Sequence, residues 1–295
     1  QLVDLGDVGL GGLLGEVHGL GDGVVGALLE GGLDADVVGR GDLMGRHEDA
    51  LEVLREAGDF VDGAAGTDLL DQVGVEVIEA GFPVVSPYEK QCVSAIAGMR
   101  LSSRICCLAR ARQMDVEAAI DCGVEMVSIF IATSDLHIRH KYRKPREQVL
   151  EEAVKMIDLA KAHGLEVRFA AEDASRTDLA FLKEVYRQGA AHGADLLSFA
   201  DTVGCLTPLE MHRIMKELTG AVDRPFCAHC HNDMGCATAN TITAAEAGAY
   251  QLHTTVNGIG ERAGNAALEE VLVAVRMKGG VERYDLTRLP ELSRM

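Results

Sequence analysis

Two histidines one residue apart stand in the run His229-Cys230-His231-Asn232-Asp233. Side chains at i and i+2 of a β-strand share a face, about 6–7 Å apart along the strand. Imidazoles so placed can converge on one divalent ion, and imidazole suits Zn, Mn, Fe and similar metals. Cys230 then points the other way and is not expected to ligate. The plain alternative is a pair of hydrogen-bonded histidines beside a loop. A second stretch, Asn257 to Asn265, reads NGIGERAGN. Its glycines let backbone approach a ligand closely. It follows an apolar run and opens a helical one, so its amides can meet an anion; an ordinary tight loop has the same pattern. Glu172 closes the run VRFAAE, where a carboxylate can orient substrate or exchange a proton, or simply pair with Arg176. Thr202 follows Asp201 at another run's end. Its hydroxyl can bind a carboxylate or cap the helix expected near Pro208. The run His137–Lys144 is locally basic. It can meet ligand phosphates, or be a solvated charge run.

These residues recur at the ends of short apolar segments, which sets the elements that must hold them. Strands are expected at Val75–Ala80, Arg104–Leu108, Met126–Ala132, Glu166–Ala171, Leu196–Ala200, Pro225–His231 and Tyr250–Val256. Helical spacing is expected over Arg146–His163, Leu179–His192, Pro208–Leu218, Ala237–Ala247 and Ala266–Met277. A strand and a helix alternate every 25 to 30 residues or so, the pattern of parallel βα units. The count is seven strands, with Glu79, Glu172, Thr202, His229 and Asn257 near one edge. An α/β barrel carries its chemistry at that edge. An eighth strand, the first of such a barrel, would fall before residue 67.

The first 66 residues differ in texture. They hold 14 Asp and Glu against 3 Arg, and 17 of the 33 glycines, while Ser, Thr, Asn, Lys, Ile, Pro, Tyr and Cys are absent. Natural domains seldom omit eight residue types together. Gly, Ala, Val, Asp and Glu, whose codons all begin with G, supply 46 of those 66 positions. A GC-rich gene read on the wrong strand or frame has this bias, so residues 1 to about 66 are expected to be non-native; a flexible Gly-rich extension is the alternative. Three parts follow: 1–66, a barrel domain over 67–280, and 281–295 as the start of a further C-terminal region. The net charge of −18 argues against nucleic acid as a partner. There is no apolar run of about 18 residues, and no basic n-region followed by an apolar stretch and a cleavage site, so secretion is not expected. Eight scattered cysteines read as reduced thiols. No membrane partner and a cytoplasmic location are expected.

The runs IEAGFPVVSP (78–87), FIATSDLHIRHKY (130–142), AAEDASRTD (170–178), ADTVGCLTP (200–208), HCHNDMG (229–235) and TVNGIGERAGNAALEEV (255–271) together resemble the homocitrate, 2-isopropylmalate and citramalate synthase family. The resemblance runs over about residues 68–280 and is strongest to archaeal-type homocitrate synthases. It implies an α/β fold, a (β/α)8 TIM barrel, with the first strand missing or replaced in this chain. It implies a Claisen-type condensation of acetyl-CoA, as co-substrate, with a 2-oxo acid. A divalent metal (Zn, Mn or Mg) would bind at His229 and His231, with Asn265 at or near it. Glu172 would stand beside the reacting centre as the catalytic carboxylate, and Thr202 would hold the substrate carboxylate. Glu79 and Asn257 complete the expected substrate contacts, and the basic run would meet the phosphates of acetyl-CoA. Intact relatives would be homodimers. A lyase of the hydroxymethylglutaryl-CoA type shares the barrel and the H-x-H pair and is the rival chemistry; an inactive fragment is the rival of another kind.

The chain departs from the pattern at its first strand. The resemblance implies a D-T-T-L-R-D-G-E-Q-like motif there, supplying an Arg, a metal-binding Asp and a Glu or Gln. Nothing of the kind occurs in residues 1–77. Family members also continue past the barrel. The expectation is a chain replaced at one end, truncated at the other, and inactive or nearly so.

Overall fold

The computed structural model describes residues 24–28 and 59–294, with side chains from residue 65 onward. Eight parallel strands close into a barrel in sequential order. They are β1 (Val24–Leu28), β2 (Val77–Glu79), β3 (Arg104–Arg110), β4 (Met126–Ala132), β5 (Glu166–Glu172), β6 (Leu196–Asp201), β7 (Phe226–Cys230) and β8 (Gln251–Thr255). Seven of them, β2 to β8, are the seven expected from sequence, each within a few residues of its expected ends. The eighth position is filled from the anomalous segment. β1 pairs with β8 from Val24↔Gln251 to Leu28↔Thr255 and with β2 from Gly26↔Val77 to Leu28↔Glu79. The first strand is therefore replaced, not missing. The sequence VVGAL occupies the place for which the resemblance implies a catalytic motif.

The helices cover the barrel outside. They are α1 (Asp59–Val73), α2 (Pro87–Ala97), α3 (Gln113–Cys122), α4 (Arg146–Ala162), α5 (Leu179–Ala191), α6 (Pro208–Thr219), α7 (Ala237–Glu246), α8 (Leu268–Gly279) and the short α9 (Leu289–Leu292). Their starts follow capping chemistry. The Ser86 hydroxyl accepts from the Glu89 amide with Pro87 in the first turn of α2, and Asp178 accepts from the Phe181 amide at α5. At α6 a capping box joins Thr207 and Glu210, so Thr207, not Thr202, caps that helix. Helix α1 runs without a break through residues 66 and 67. Residues 284–292 fold back onto it: the Asp285 amide donates to the Val73 carbonyl at 2.9 Å, and Leu289 and Leu292 are buried.

Alternate residues of each strand fill the barrel interior in layers. Val77, Cys106, Met126, Leu196 and Cys227 form a small apolar cluster of their own, apart from the larger core between strands and helices. Beside it the interior turns polar. Arg168 is 2% exposed and ion-paired with Glu79. It also donates to Ser128 Oγ and Gln251 Oε1, each at 3.1 Å. His253 follows Gln251 by two residues and meets its Oε1 at 3.2 Å. Removing the charge of one partner of such a buried pair is costly, so the layer is fixed as a unit.

Candidate active site

The strands end at one rim, and β7 delivers the two histidines there. His229 and His231 lie on the same face, their Nε2 atoms 3.1 Å apart and their rings 4.9 Å apart. Cys230 between them faces the helices, in the outer core. The NGIGERAGN loop brings in Asn265: an isolated bridge pairs His231 with Asn265, and Asn265 Nδ2 is 3.4 Å from His229 Nε2. The three residues expected at a metal are thus gathered in one place. Burial holds the His229 imidazole well below its ordinary range, with His231 and Arg168 adding to the effect. Burial, with Arg262 beside it, brings His231 down to about 4. Both rings are therefore neutral at pH 7, the form in which imidazole ligates a metal.

The donor set can be tested for fit. Imidazole nitrogens bind divalent ions at about 2.0–2.1 Å, so two nitrogens 3.1 Å apart can share one ion. Asn265 Oδ1 is buried and has no hydrogen-bond partner among the described residues. A buried, unpartnered amide oxygen is costly unless something else takes its lone pairs. These residues fit as two nitrogens and one neutral oxygen of a site. Among the described residues, no group of three or more His, Cys, Asp or Glu could hold a metal. The carboxylate ligand that the resemblance places on the first strand has no counterpart there.

Four loops tie this centre together. Gly204, after β6, has φ +55, and a Cβ there would stand 2.7 Å from the Asp233 amide nitrogen and 2.9 Å from the His231 carbonyl. Arg262 holds both oxygens of Asp233, at 2.8 and 2.9 Å, and donates to the Thr202 carbonyl at 2.6 Å. The Thr202 hydroxyl accepts from the Asp173 amide at 2.8 Å, which leaves its own proton free to donate. The Asn232 amide donates to the Gly264 carbonyl at 2.8 Å. Four described non-glycine residues have positive φ: Arg143, Asp173, Asn257 and Arg262. All four lie in loops after strand ends on this rim, where strain of this kind tends to collect at functional sites.

The other expected residues are placed less uniformly. Glu172 closes β5, and both its oxygens accept from Lys141 Nζ, at 2.8 and 2.9 Å. His137 Nδ1 lies 3.5 Å from the same carboxylate. Glu172 is therefore paired with the basic run and not with Arg176, which takes Asp173 instead. The run itself is a π-helical turn, Ile138–Tyr142. Glu79 does not line the mouth; it is buried in the barrel against Arg168, and burial pushes its carboxyl up against the opposing pull of that arginine. Asn257 is turned away: its Nδ2 donates to the Ser293 carbonyl at 2.9 Å, and its Oδ1 accepts from the Ser293 hydroxyl. Neither side chain is free to meet a substrate at the histidines. Sequence reasoning passed over Arg168, His253 and Arg262. Arg168 and His253 break otherwise buried strands, and a polar side chain in a barrel interior must have an internal partner; that was the available signal. His253 packs edge-on against His229, ring centres 5.6 Å apart.

Homocitrate synthase AksA of Methanosarcina acetivorans is 56% identical over 227 residues, 77% of this chain and 56% of that protein. The probable 2-isopropylmalate synthase of Methanopyrus kandleri is 52% identical over 227 residues, again 77% of this chain and 46% of that protein. The chain spans about half the length of the curated relatives it matches. Among solved structures, hydroxymethylglutaryl-CoA lyase from Pseudomonas aeruginosa superposes with a TM-score of 0.74 at 21% identity, covering 93% of this chain and 91% of that one; that likeness shows the shared barrel. Residues 64–295 match the family described as HMGL-like, and the chain belongs to that family.

Proposed function

We propose that this barrel carries the metal- and oxo-acid-binding part of an enzyme that condenses acetyl-CoA with a 2-oxo acid, 2-oxoglutarate in the first place, as a cytoplasmic homocitrate synthase-like acyltransferase. The observation that carries the reading is the convergence of His229, His231 and the unpartnered Asn265 oxygen at the barrel mouth. His229, His231 and Asn265 would hold a divalent ion (Zn, Mn or Mg). Such an ion, when bound, supplies Lewis-acid polarisation of the ketone and stabilises its developing oxyanion. The chain's own groups do the rest. The Thr202 hydroxyl, already accepting from Asp173, donates its proton to a substrate carboxylate. Arg262 locks Thr202 and Asp233 and so fixes where that hydroxyl points. The Glu172 carboxylate, held by Lys141, would accept the methyl proton of the acetyl thioester. The relatives at 50% identity or more bear synthase names, whereas the lyase likeness is one of fold; this supports condensation over cleavage.

The test is metal uptake by the purified chain, followed by Co²⁺ absorbance or Mn²⁺ relaxation. His229→Ala and His231→Ala should each weaken binding by at least about 100-fold, the upper range seen when residues behind a ligand are lost. Thr202→Val should leave metal affinity intact while weakening 2-oxoglutarate binding to the loaded chain. Metal binding that survives both histidine substitutions would refute the reading.

A further inference from the structure

Residues 284–293 form a strap along the side of the barrel. Its lower end sits where β2 begins. Tyr284 is buried there and its hydroxyl donates to Glu76 Oε1 at 3.0 Å, while the Asp285 amide holds the Val73 carbonyl at 2.9 Å. Leu289 and Leu292 of α9 are buried, and α9 packs on α1. Helix α1 returns the chain from the rim to the start of β2, so a segment that starts beside Val73 and follows α1 comes out at the rim. There Ser293 meets Asn257. Asn257 Nδ2 donates to the Ser293 carbonyl at 2.9 Å, and its Oδ1 accepts from the Ser293 hydroxyl. The Asn257 amide donates to both oxygens of Glu269 on α8, at 3.0 and 3.1 Å. One residue thus ties the strap, α8 and the NGIGERAGN loop together.

We propose that Asn257 is a positioning residue, through which the docking of the strap on α1 sets where Asn265 stands against His229. The path is short. Asn257 and Gly258 both have positive φ, +59 and +66, a conformation that asparagine and glycine adopt more readily than other residues. The turn aims the Gly258 carbonyl at the Asn265 amide, 3.0 Å away. Gly264 packs on that same carbonyl with no room for a Cβ, which leaves the loop little slack between Gly258 and Asn265. Asn265 Nδ2 then lies 3.4 Å from His229 Nε2. Whatever lifts α9 from α1 therefore releases Asn257 and lets Asn265 drift from the histidines. By reciprocity, an ion bound through Asn265 must tighten the strap. Only this last consequence rests on the metal-site reading; the tie between strap and loop does not.

Amide hydrogen exchange of the full chain without added metal tests the tie. The Asn265 amide, bonded to Gly258, and the Asn232 amide, bonded to Gly264, report on the loop. Asn257→Gly keeps the left-handed backbone accessible and removes both bonds to Ser293. It should speed exchange at these two amides about tenfold, the scale of one or two ordinary hydrogen bonds. Asn257→Asp keeps the size of the side chain but sets a carboxylate oxygen against the Ser293 carbonyl, and should speed exchange at least as much. Ser293→Ala loses only the hydroxyl bond; its effect should be smaller, and nil in the Asn257→Gly background. Leu292→Ala, which loosens α9, should speed loop exchange only while Asn257 is present. Lys278→Ala, exposed on α8, should leave it unchanged. Unchanged loop exchange in Asn257→Gly, or an equal effect of Leu292→Ala with and without Asn257, would overturn the proposal. Added Mn²⁺ should slow exchange over residues 284–294 in the unsubstituted chain but not in Asn257→Gly, which should bind the ion several-fold more weakly. An ion that needs His229 and His231 yet leaves strap exchange unchanged would overturn the coupling to the site. Binding that ignores both histidines would sink the functional reading instead, and the metal-free exchange would still decide the tie.

Discussion

At the scale of single residues, the neutral histidines make the fold sensitive to acid. His231 titrates in the folded chain at about 4, against an ordinary 6.5. A depressed imidazole favours the folded state fully above 6.5 and loses that contribution as pH falls from 6.5 toward 4. The difference is worth at most about 3 kcal/mol, and His229 and His253, both pushed down by burial, act in the same direction. Urea midpoints of the chelator-treated chain should therefore drop between pH 7 and 5, and His231→Gln should flatten the drop; an unchanged slope would contradict the burial argument. Gly264 is the second sensitive residue. It has φ +91, and a Cβ would stand 2.1 Å from the Gly258 carbonyl oxygen. Gly264→Ala should destabilise by more than the roughly 1–2 kcal/mol of a left-handed alanine and should move Asn265, seen as weaker metal binding along with a lower Tm. The histidine pair could be recognised from sequence because a two-residue period fixes a shared face whatever surrounds it. Asn257 could not: a polar strand end does not reveal that residues near 293 will claim its side chain.

At the scale of elements, the buried layer beneath the histidines joins β2, β4, β5 and β8 through Arg168. Arg168→Met alone should cost about 3–5 kcal/mol, because Glu79 keeps a buried charge without its partner. Adding Glu79→Leu should recover most of that loss, since an apolar pair of similar volume can replace an ion pair. Guanidinium unfolding of the two single variants and the double variant measures it, and additive losses would show that the pair is not the cause. The strands and the helices α4 to α8 were readable from period and caps, because each buries an apolar stripe against the same core. Helices α1, α2 and α3 have no counterpart among the expected ones; α2 buries only Val93 and Ile96, too few to set a periodicity. In sequence the π-helical turn is only a charge run, because nothing local distinguishes a fifth-residue hydrogen bond from a solvated helix start. It appears only once Ala132, through its amide to the Tyr142 hydroxyl at 3.0 Å, and Glu172 anchor it.

At the scale of the whole molecule, the barrel closes with a first strand that brings geometry without the implied chemistry. Strand β1 satisfies the edges of β2 and β8, and open edges would otherwise invite pairing with other chains. Closure says nothing about catalysis, because activity resides in the residues at the strand ends. A catalytic divalent site normally has three protein ligands plus open positions. Here the described residues offer two imidazoles and a neutral amide oxygen, and no anionic ligand to offset the ion's charge. The motif in which the resemblance places an arginine beside them likewise does not occur in residues 1–77. Loss of one donor aimed at developing oxyanion charge typically costs about 10²–10³ in rate, and the missing carboxylate adds to that. The purified chain, supplied with Zn²⁺, Mn²⁺ or Mg²⁺, should therefore turn over acetyl-CoA with 2-oxoglutarate, 2-oxoisovalerate or pyruvate at least about 10²-fold more slowly than the Methanosarcina acetivorans relative under the same assay. Replacing residues 1–66 with a first strand that carries the D-T-T-L-R-D-G-E-Q-like motif implied by the resemblance should raise metal affinity even where turnover stays low. Robust turnover by the chain itself would mean that an acidic residue such as Asp4, Asp7 or Asp22, all outside the described residues, completes the site. The hypothesis of a non-native segment would then fail with it, since a misread frame has no reason to place a ligand at a barrel mouth.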